Sequence, residues 1–289
     1  MRFQCITFVL FVFLSKCFAY KPVFLIPGLN AKNDSMRVVI RLINQFHPGT
    51  EILTSNFFLK FDSTKPLLYQ VSTVGKELLK FSEKHPQGIH LIGYSQGGLV
   101  ARGIIEQFPN HGVHKLISLS APQAGQYGTG LLRKYFPGID VPKEIVYKVL
   151  YKSLAQNLLS VANYWKDPYH QEEYYDYVKY LTKLNNEVQH GGSENFKKGF
   201  INLKQVVLFG GPDDEVIEPW QTSQFAFYYN NSAEIQPLKE QRYYTEDLFG
   251  LRTLDERGDL KLVTAPGLKH REWTKNETFI ESELIPLLD

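Results

Sequence analysis

Cysteine is nearly absent from this chain, and the two that occur lie close together near its N-terminus. Cys5 and Cys17 both fall within the first 19 residues, so residues 20–289 contain none. A disulfide, a thiolate metal site and a cysteine nucleophile all require that side chain, and none of them is expected in this main part of the chain. The fold must be held by its hydrophobic core, which a chain of this length can supply.

The chain also lacks an excess of charge of either sign. It has 32 basic and 30 acidic residues, and the first 19 residues contain Arg2 and Lys16 but no acidic residue. A nucleic-acid-binding surface needs a basic patch or stripe, because contacts to phosphates dominate that interaction. The composition therefore indicates no nucleic-acid partner.

No apolar run is long enough to cross a bilayer comfortably. The apolar stretch Cys5–Leu14 follows Arg2 and precedes Cys17-Phe18-Ala19, a small-x-small cleavage sequence. A charged start, a short apolar run and such a site are typical of a secretory signal peptide. We predict a signal over 1–19, cleaved after Ala19, and one domain over 20–289. An uncleaved anchor is the alternative.

Strands and helices alternate up to about residue 122, and the alternation resumes at about residue 205. Short apolar runs at 23–26, 51–58, 89–92, 115–120, 205–209 and 260–263 predict strands, and helical spacing over Leu67–Phe81 predicts one of the intervening helices. From 123 to 203 no strand is convincing, and helices are predicted over 141–151, 153–164 and 172–187. The pattern predicts an α/β-hydrolase fold: a mostly parallel sheet, helices on both faces, and a helical insertion (a cap) over its C-terminal edge.

The pentapeptide Gly93-Tyr94-Ser95-Gln96-Gly97 lies between a predicted strand and a predicted helix. A G-x-S-x-G sequence in that setting forms the nucleophile elbow of an α/β-hydrolase, with the serine on a sharp turn. By itself the pentapeptide is short enough to arise by chance. Whether it is functional depends on the strand and helix that flank it and on the residues that follow it in the chain. Ser95 is the candidate nucleophile.

A serine nucleophile needs a histidine base oriented by a carboxylate, in the chain order Ser, Asp or Glu, His. Only His270 lies beyond the last predicted strand, so we predict it as the base. The acid should follow the strand over 205–209, where Asp213 and Asp214 compete. We favour Asp214, because a β-branched pair and a proline follow it. Asp213 is then a turn residue and Glu215 is solvated.

The oxyanion of the tetrahedral intermediate needs two preorganised N–H donors. The amide of Gln96, directly after the nucleophile, is the first, and the Leu29 amide after the first strand is the second. An ordinary loop is the alternative for Leu29. No H-E-x-x-H and no G-x-x-x-x-G-K-[ST] sequence occurs. We therefore expect no metal and no cofactor.

Four blocks of sequence, the first of which contains the pentapeptide, are similar to those of the palmitoyl-protein thioesterases, and the last two are closer to the type 2 members. The blocks are 91–100, 119–128, 163–168, and 210–214 with 219–221. The resemblance implies a lysosomal hydrolase of long-chain fatty-acyl thioesters, with Ser95, Asp214 and His270 as its triad. It also places the oxyanion donors at Leu29 and Gln96. This chain departs from the family in having Pro27 before Gly28 and in lacking its disulfide cysteines.

The expected partner is a fatty-acyl thioester, of coenzyme A or another thiol, and the sequence does not indicate an oligomeric state. We expect a lysosomal location through the secretory pathway, with secretion as the alternative. The candidate N-glycosylation sites are Asn33, Asn230 and Asn276. A secreted lipase or carboxylester hydrolase is the alternative enzyme, and a non-catalytic lipid-binding protein on the same scaffold is a further alternative.

Overall fold

The structure, a computed structural model, describes residues 20–135, 138 and 141–289. The predicted signal peptide and both cysteines lie outside these residues. No helix in the described part of the chain has the length and apolarity to cross a membrane.

Six parallel strands form the main sheet, in the order β2-β1-β3-β4-β5-β8, and two short antiparallel strands, β6 and β7, pair separately. In chain order the strands are β1 Val23–Ile26, β2 Ile52–Thr54, β3 Ile89–Tyr94, β4 Val113–Leu119, β5 Gln205–Gly210, β6 Phe227–Tyr228, β7 Ile235–Gln236 and β8 Leu260–Thr264. Every residue of β1 and β3 is buried, because helices cover both faces of the sheet. The predicted α/β class is confirmed.

The helices outside the insertion cover both faces of this sheet: the first and the last of them pack on one face, and the other four pack on the opposite face. They are α1 Arg37–Phe46, α2 Leu67–Ser82, α3 Gln96–Gln107, α10 Arg242–Thr245, α11 Leu251–Glu256 and α12 Glu277–Phe279. Alternate residues of β1 show the division: Phe24 belongs to the core beneath α2 and α3, whereas Val23 and Leu25 belong to the core beneath α1 and the C-terminal helix.

Within the described part of residues 123–203, the regular secondary structure is helical apart from one isolated bridge between Gln126 and Trp165. The helices are α4 Gly130–Tyr135, α5 Lys143–Leu150, α6 Ser153–Leu158, α7 Gln171–Tyr177, α8 Leu181–Leu184 and α9 Ser193–Ile201. The single helix predicted over 172–187 is wrong. The chain leaves the helical conformation at Val178, and this turn buries both Val178 and Tyr180, whose hydroxyl donates to Leu99 O.

Two other predicted elements are also too long. The strand predicted over 51–58 ends at Thr54, and Phe57 is exposed while the ring of Phe58 packs edge-on against Tyr69. The helix predicted over 153–164 ends at Leu158, and an extended Leu159 separates it from a 3-10 turn over Ser160–Tyr164. Both predicted elements are too long because an apolar residue can pack against a neighbouring helix without belonging to the strand or helix that precedes it.

Candidate active site

Ser95 lies on a sharp turn between β3, which ends at Tyr94, and α3, which begins at Gln96. Its backbone is strained, with φ 54° and ψ −130°. The flanking glycines leave space for this turn. A Cβ on Gly93 would lie 2.6 Å from Gly97 O, and a Cβ on Gly97 would lie 2.3 Å from Ile26 O. Neither position has room for a side chain, so the two glycines of the pentapeptide are sterically required.

The three residues predicted as a triad lie together in the structure. His270, in the 3-10 turn after β8, has its Nε2 2.9 Å from Ser95 Oγ. Its Nδ1 lies 2.8 Å from Oδ2 and 3.0 Å from Oδ1 of Asp214, which follows β5. All three side chains are buried. The hydroxyl, the ring and the carboxylate thus form one continuous hydrogen-bonded chain.

Four further donors hold the Asp214 carboxylate. Ser120 Oγ and Trp273 Nε1 donate to Oδ2 over 2.5 and 2.9 Å, and the amides of Val216 and Ile217 donate to Oδ1 over 2.9 and 3.0 Å. Each of these bonds is directional, so the plane of the carboxylate is fixed before any substrate arrives.

The protonation state of Asp214 follows from these contacts. Burial alone would raise its pKa, but the adjacent His270 and the hydrogen bonds from Ser120 and the Ile217 amide outweigh that effect, and the pKa is lowered. The carboxylate therefore stays ionised below its ordinary pKa of about 3.9. A charged acceptor orients the imidazole with Nδ1 protonated, which leaves Nε2 as the acceptor that faces Ser95.

The loop that carries His270 is tied down by backbone contacts. Tyr94 Oη donates to His270 O over 2.8 Å, and the His270 amide donates to Glu215 Oε2 over 2.9 Å. Asp213 Oδ2 accepts the Gly267 amide over 2.6 Å. Asp213 is thus more than a turn residue and Glu215 more than a solvated one, because both carboxylates hold the His270 loop.

The amides of Leu29 and Gln96, predicted as oxyanion donors, both adjoin the elbow. Gly28 packs so closely on it that a Cβ there would lie 2.9 Å from Ser95 Cβ. Within the described residues, neither the Leu29 nor the Gln96 amide donates to any acceptor. The neighbouring Asn30 amide is fixed by Ser63 Oγ over 2.7 Å. Two unengaged N–H groups beside a nucleophilic oxygen are what an oxyanion requires.

The Gln96 side chain links the elbow to the helical insertion. Its Nε2 donates to Ser63 O over 2.7 Å, and its Oε1 accepts from Tyr164 Oη over 3.3 Å. Ser160 Oγ donates to the same Ser63 carbonyl over 3.2 Å. The segment over 60–64 and the insertion therefore meet on the Gln96 side of Ser95.

An apolar cavity of about 150 Å³ opens at this junction. Thr64 and Ser160 contribute to its lining, Ser160 with its hydroxyl bound to the Ser63 carbonyl, and the rest of the lining is aliphatic. The aliphatic residues are Leu132, Val141, Val146, Val149, Leu150, Leu159 and Val161. We call this the apolar cavity. The tyrosines of α7 do not line it: Tyr174 is buried and donates to Glu187.

Sequence patterns did not identify three residues that position the triad: Tyr94, which binds the His270 carbonyl, and Ser120 and Trp273, which bind Asp214. A sequence signal exists for Ser120, which ends the predicted strand before the insertion, at the sheet edge where functional side chains gather. Trp273 follows His270 by three residues and so lies one 3-10 turn away, on the same side. Only the tertiary structure shows that both side chains point at Asp214.

Residues 22–270 match the family described as palmitoyl protein thioesterase. Lysosomal thioesterase PPT2-B of Xenopus laevis is 39% identical over 268 residues, which cover 91% of each chain. The lysosomal thioesterase PPT2 homolog of Drosophila melanogaster is 38% identical over 276 residues, covering 96% of this chain and 94% of that protein. A putative aryl esterase from Burkholderia cenocepacia superposes with a TM-score of 0.50 at 12% identity, over 93% of this chain and 89% of that one. That last likeness concerns the α/β-hydrolase fold.

Proposed function

The chain belongs to the palmitoyl protein thioesterase family, and on that premise we propose that it hydrolyses long-chain fatty-acyl thioesters with Ser95 as nucleophile. One observation carries the proposal: Ser95 Oγ lies 2.9 Å from His270 Nε2, and Asp214 holds the other ring nitrogen. A serine hydroxyl is a weak nucleophile, and a base in this position is what activates it. The buried, unengaged amides beside it suit the charge that develops on the carbonyl oxygen.

In the acylation step, Ser95 Oγ attacks the thioester carbonyl carbon and His270 Nε2 takes the hydroxyl proton. The Leu29 and Gln96 amides stabilise the oxyanion of the tetrahedral intermediate. As that intermediate collapses, the carbon–sulfur bond breaks, and His270 Nε2 gives its proton to the departing sulfur. The free thiol leaves, and the acyl group remains on Ser95 as an ester.

Deacylation repeats the same steps with water as the nucleophile. His270 Nε2 takes a proton from water, whose oxygen adds to the acyl carbon. The bond from that carbon to Ser95 Oγ then breaks, and the proton passes from His270 to Ser95. Asp214 remains ionised in both steps and stabilises the transient imidazolium. The fatty acid leaves, and the resting enzyme is restored.

We assign the acyl chain to the apolar cavity. It lies where the segment over 60–64 meets the insertion, linked to Gln96 through the Ser63 carbonyl, and seven of its nine lining residues are aliphatic. Burial of each methylene contributes about 0.8 kcal/mol, so a cavity of this kind favours a long chain over a short one. Exposed apolar side chains at its edge, among them Val149, extend the apolar surface outward.

Filling the apolar cavity should change the chain-length preference. In Leu159→Trp, we expect kcat/KM for a palmitoyl thioester to fall at least about tenfold, because several methylenes lose their apolar contacts, while a butyryl thioester is unaffected. Leu154→Trp is the matched control, since Leu154 is 72% exposed on α6 and does not line the cavity. Steady-state kinetics over a series of acyl lengths checks this. An equal loss for all lengths would contradict the assignment.

A comparison of matched thioester and oxygen-ester substrates tests the proposed function. We expect the palmitoyl thioester to have the higher kcat/KM, because a thiolate is a better leaving group than an alkoxide and the family is named for thioesters. The geometry of the triad by itself is compatible with hydrolysis of either substrate. Rapid turnover of the oxygen ester with little turnover of the thioester would instead indicate a lipase or carboxylester hydrolase.

We propose a lysosomal location, reached through the secretory pathway. Two relatives are named lysosomal thioesterases, and Asn33 and Asn230 are exposed, as glycan acceptors must be. Asn276 is half-buried, and its Oδ1 caps α12 by accepting the Phe279 amide. Colocalisation of the tagged full-length chain with a lysosomal marker checks the location. Its recovery only from the medium would indicate secretion.

A further inference from the structure

Two short helices of the insertion, α5 and α6, turn apolar side chains outward in pairs. The members of each pair are four residues apart, and all four side chains are between 43% and 72% exposed. The pairs are Ile145 with Val149 on α5 and Leu154 with Leu158 on α6. Residues four apart share one face of a helix, so each helix has an apolar stripe on its solvent side. Single exposed apolar residues are ordinary, but two such stripes on consecutive helices are not.

A second group of exposed apolar side chains flanks the turn over 60–64. Phe61 in that turn is 81% exposed, more than any other large apolar side chain among the described residues. The other members of this group are each about half exposed: Phe57, Leu68 and Tyr69. The group thus comes from the segment that leads into α2, far from the insertion in the sequence.

Hydrogen bonds bring the two groups together beside the apolar cavity. Asn163 Oδ1 accepts the Leu67 amide over 2.9 Å, and Ser160 Oγ binds the Ser63 carbonyl. Val149 connects the exposed surface to the cavity, because it lines the cavity and is itself 61% exposed. We call the eight exposed side chains of the two groups the apolar rim. Surface and cavity are therefore continuous.

Lysines border the apolar rim, and no described acid pairs with them. Lys60, Lys148 and Lys152 are exposed, and among the described residues no carboxylate oxygen lies within 4.0 Å of their ammonium groups. Lys65 differs, because it pairs with Asp62 over 2.7 Å. The sequence from 145 to 159 contains no acidic residue at all. The border is thus locally positive, although the whole chain is nearly neutral.

We propose that the apolar rim docks on the surface of a membrane that contains anionic phospholipids. Apolar side chains on such a surface enter the boundary between head groups and acyl chains, and the lysines beside them are attracted to the lipid phosphates. The inference rests in part on the proposed function, since docking in this way places the cavity assigned to the acyl chain against a lipid layer. Long acyl chains partition into that layer for the same reason that they enter the cavity.

Two features favour a membrane over a second copy of this chain as the occupant of the rim. In a two-fold symmetric dimer the same surface faces itself, so the unpaired lysines would approach one another without an acid between them. Such a dimer would also cover the cavity assigned to the acyl chain. An anionic membrane supplies the opposite charge and leaves acyl chains at the cavity.

Sedimentation of the full-length protein with sucrose-loaded vesicles tests the proposal. One set of vesicles is phosphatidylcholine alone, and the other contains phosphatidylcholine and phosphatidylglycerol in equal amounts. The variant is Phe61→Ser/Leu154→Ser, which removes the two most exposed side chains of the rim, and neither of them lines the cavity. Phe46→Ser/Leu262→Ser is the matched control, because it changes the same two residue types at exposed positions on α1 and β8.

We expect wild type and the matched control to bind the anionic vesicles with equal affinity. The rim variant should bind at least about tenfold more weakly, because two apolar side chains no longer enter the lipid. Hydrolysis of the water-soluble butyryl thioester of N-acetylcysteamine, measured without vesicles, should stay within about twofold of wild type in both variants, since only surface residues are changed.

The charged border is tested separately with Lys148→Gln/Lys152→Gln. This variant should lose roughly tenfold in affinity for the anionic vesicles and nothing in its weaker binding to phosphatidylcholine alone. Lys76→Gln/Lys80→Gln is its control, since these two lysines are exposed on α2 with the same spacing. It should change neither affinity.

Equal binding by wild type and the rim variant, or no binding of wild type to either set of vesicles, would overturn the docking surface. Self-association of wild type without vesicle binding, lost in the rim variant and detected by analytical ultracentrifugation, would also overturn it and assign the rim to a second copy. Hydrolysis of the thioester without vesicle binding leaves the proposed function standing. Vesicle binding without hydrolysis would instead overturn the proposed function and leave the docking surface in place.

Discussion

Ser95→Ala is expected to abolish thioester hydrolysis, with kcat reduced roughly 10⁴- to 10⁶-fold, the range found when a triad serine is removed from other hydrolases. The variant loses the oxygen that attacks the carbonyl, and the His270 ring cannot replace it from its present position. Alanine keeps the Cβ, so the strained backbone at this turn, with φ 54°, is no less accessible to it than to serine. Turnover of palmitoyl-coenzyme A, together with circular dichroism and the midpoint of thermal unfolding, measures the loss.

Ser223→Ala is the matched control for that variant. Ser223 is also a buried serine, and its hydroxyl has no hydrogen-bond partner among the described residues. Its removal should leave both activity and stability close to wild type. Undiminished turnover in Ser95→Ala, in a protein that folds normally, would contradict the assignment of the nucleophile.

Asp214→Asn should lower kcat roughly 10³- to 10⁴-fold, as neutralising the triad acid does in other serine hydrolases. The carboxylate accepts from His270 Nδ1, Ser120 Oγ and Trp273 Nε1. An amide has only one acceptor oxygen, so its NH₂ group would face one of these donors. The imidazole would then turn or take the wrong tautomer, and Ser95 would lose its base.

Asp213→Asn is the control for this second variant, because the two aspartates are adjacent and only one contacts the ring. Asp213 is exposed, and an asparagine oxygen can still accept the Gly267 amide. We expect its kcat to fall less than about tenfold. A larger loss in Asp213→Asn than in Asp214→Asn, measured on the same substrate, would reverse the assignment of the acid.

The two variants should also differ in the pH dependence of their stability. A carboxyl group whose pKa is lowered by folding stabilises the native state above its unfolded pKa of about 3.9, and this contribution is lost as the pH falls through the lower folded value. Wild type and Asp213→Asn should therefore show this loss of stability at acid pH, because both retain Asp214. Asp214→Asn should not show it. Denaturant unfolding between about pH 2 and pH 5 separates them.

The sequence was informative about the fold because parallel strands buried on both faces are continuous apolar runs, and β1 and β3 are such runs. It was informative about the site because functional residues follow strand ends, where Ser95, Asp214 and His270 all lie. Local sequence pattern gave wrong or incomplete predictions where tertiary contacts determine the structure. The break at Val178 and the hydrogen bond from Ser120 to Asp214, 94 positions along the chain, depend on packing that no short window contains.

The charged lining of a cavity of about 370 Å³ beside the elbow illustrates the same limit. Lys32 and Arg37 are separated from Arg271 and Lys275 by almost the whole chain, and in the sequence each is an ordinary surface charge. The parallel sheet brings their loops to one edge, beside the elbow. The balance of charge over the whole chain excludes a general basic surface, but it carries no information about such a local cluster.

The central claim is that Ser95 is an activated nucleophile, and covalent labelling with a fluorophosphonate tests it most directly. The reagent reacts with a serine hydroxyl only where a base and an oxyanion site activate it. We predict one adduct per chain, located by peptide mass spectrometry on Ser95, with loss of palmitoyl thioester hydrolysis in proportion to labelling and no adduct in His270→Ala. An unlabelled Ser95 in a protein that hydrolyses the thioester, or full activity after complete labelling, would contradict it.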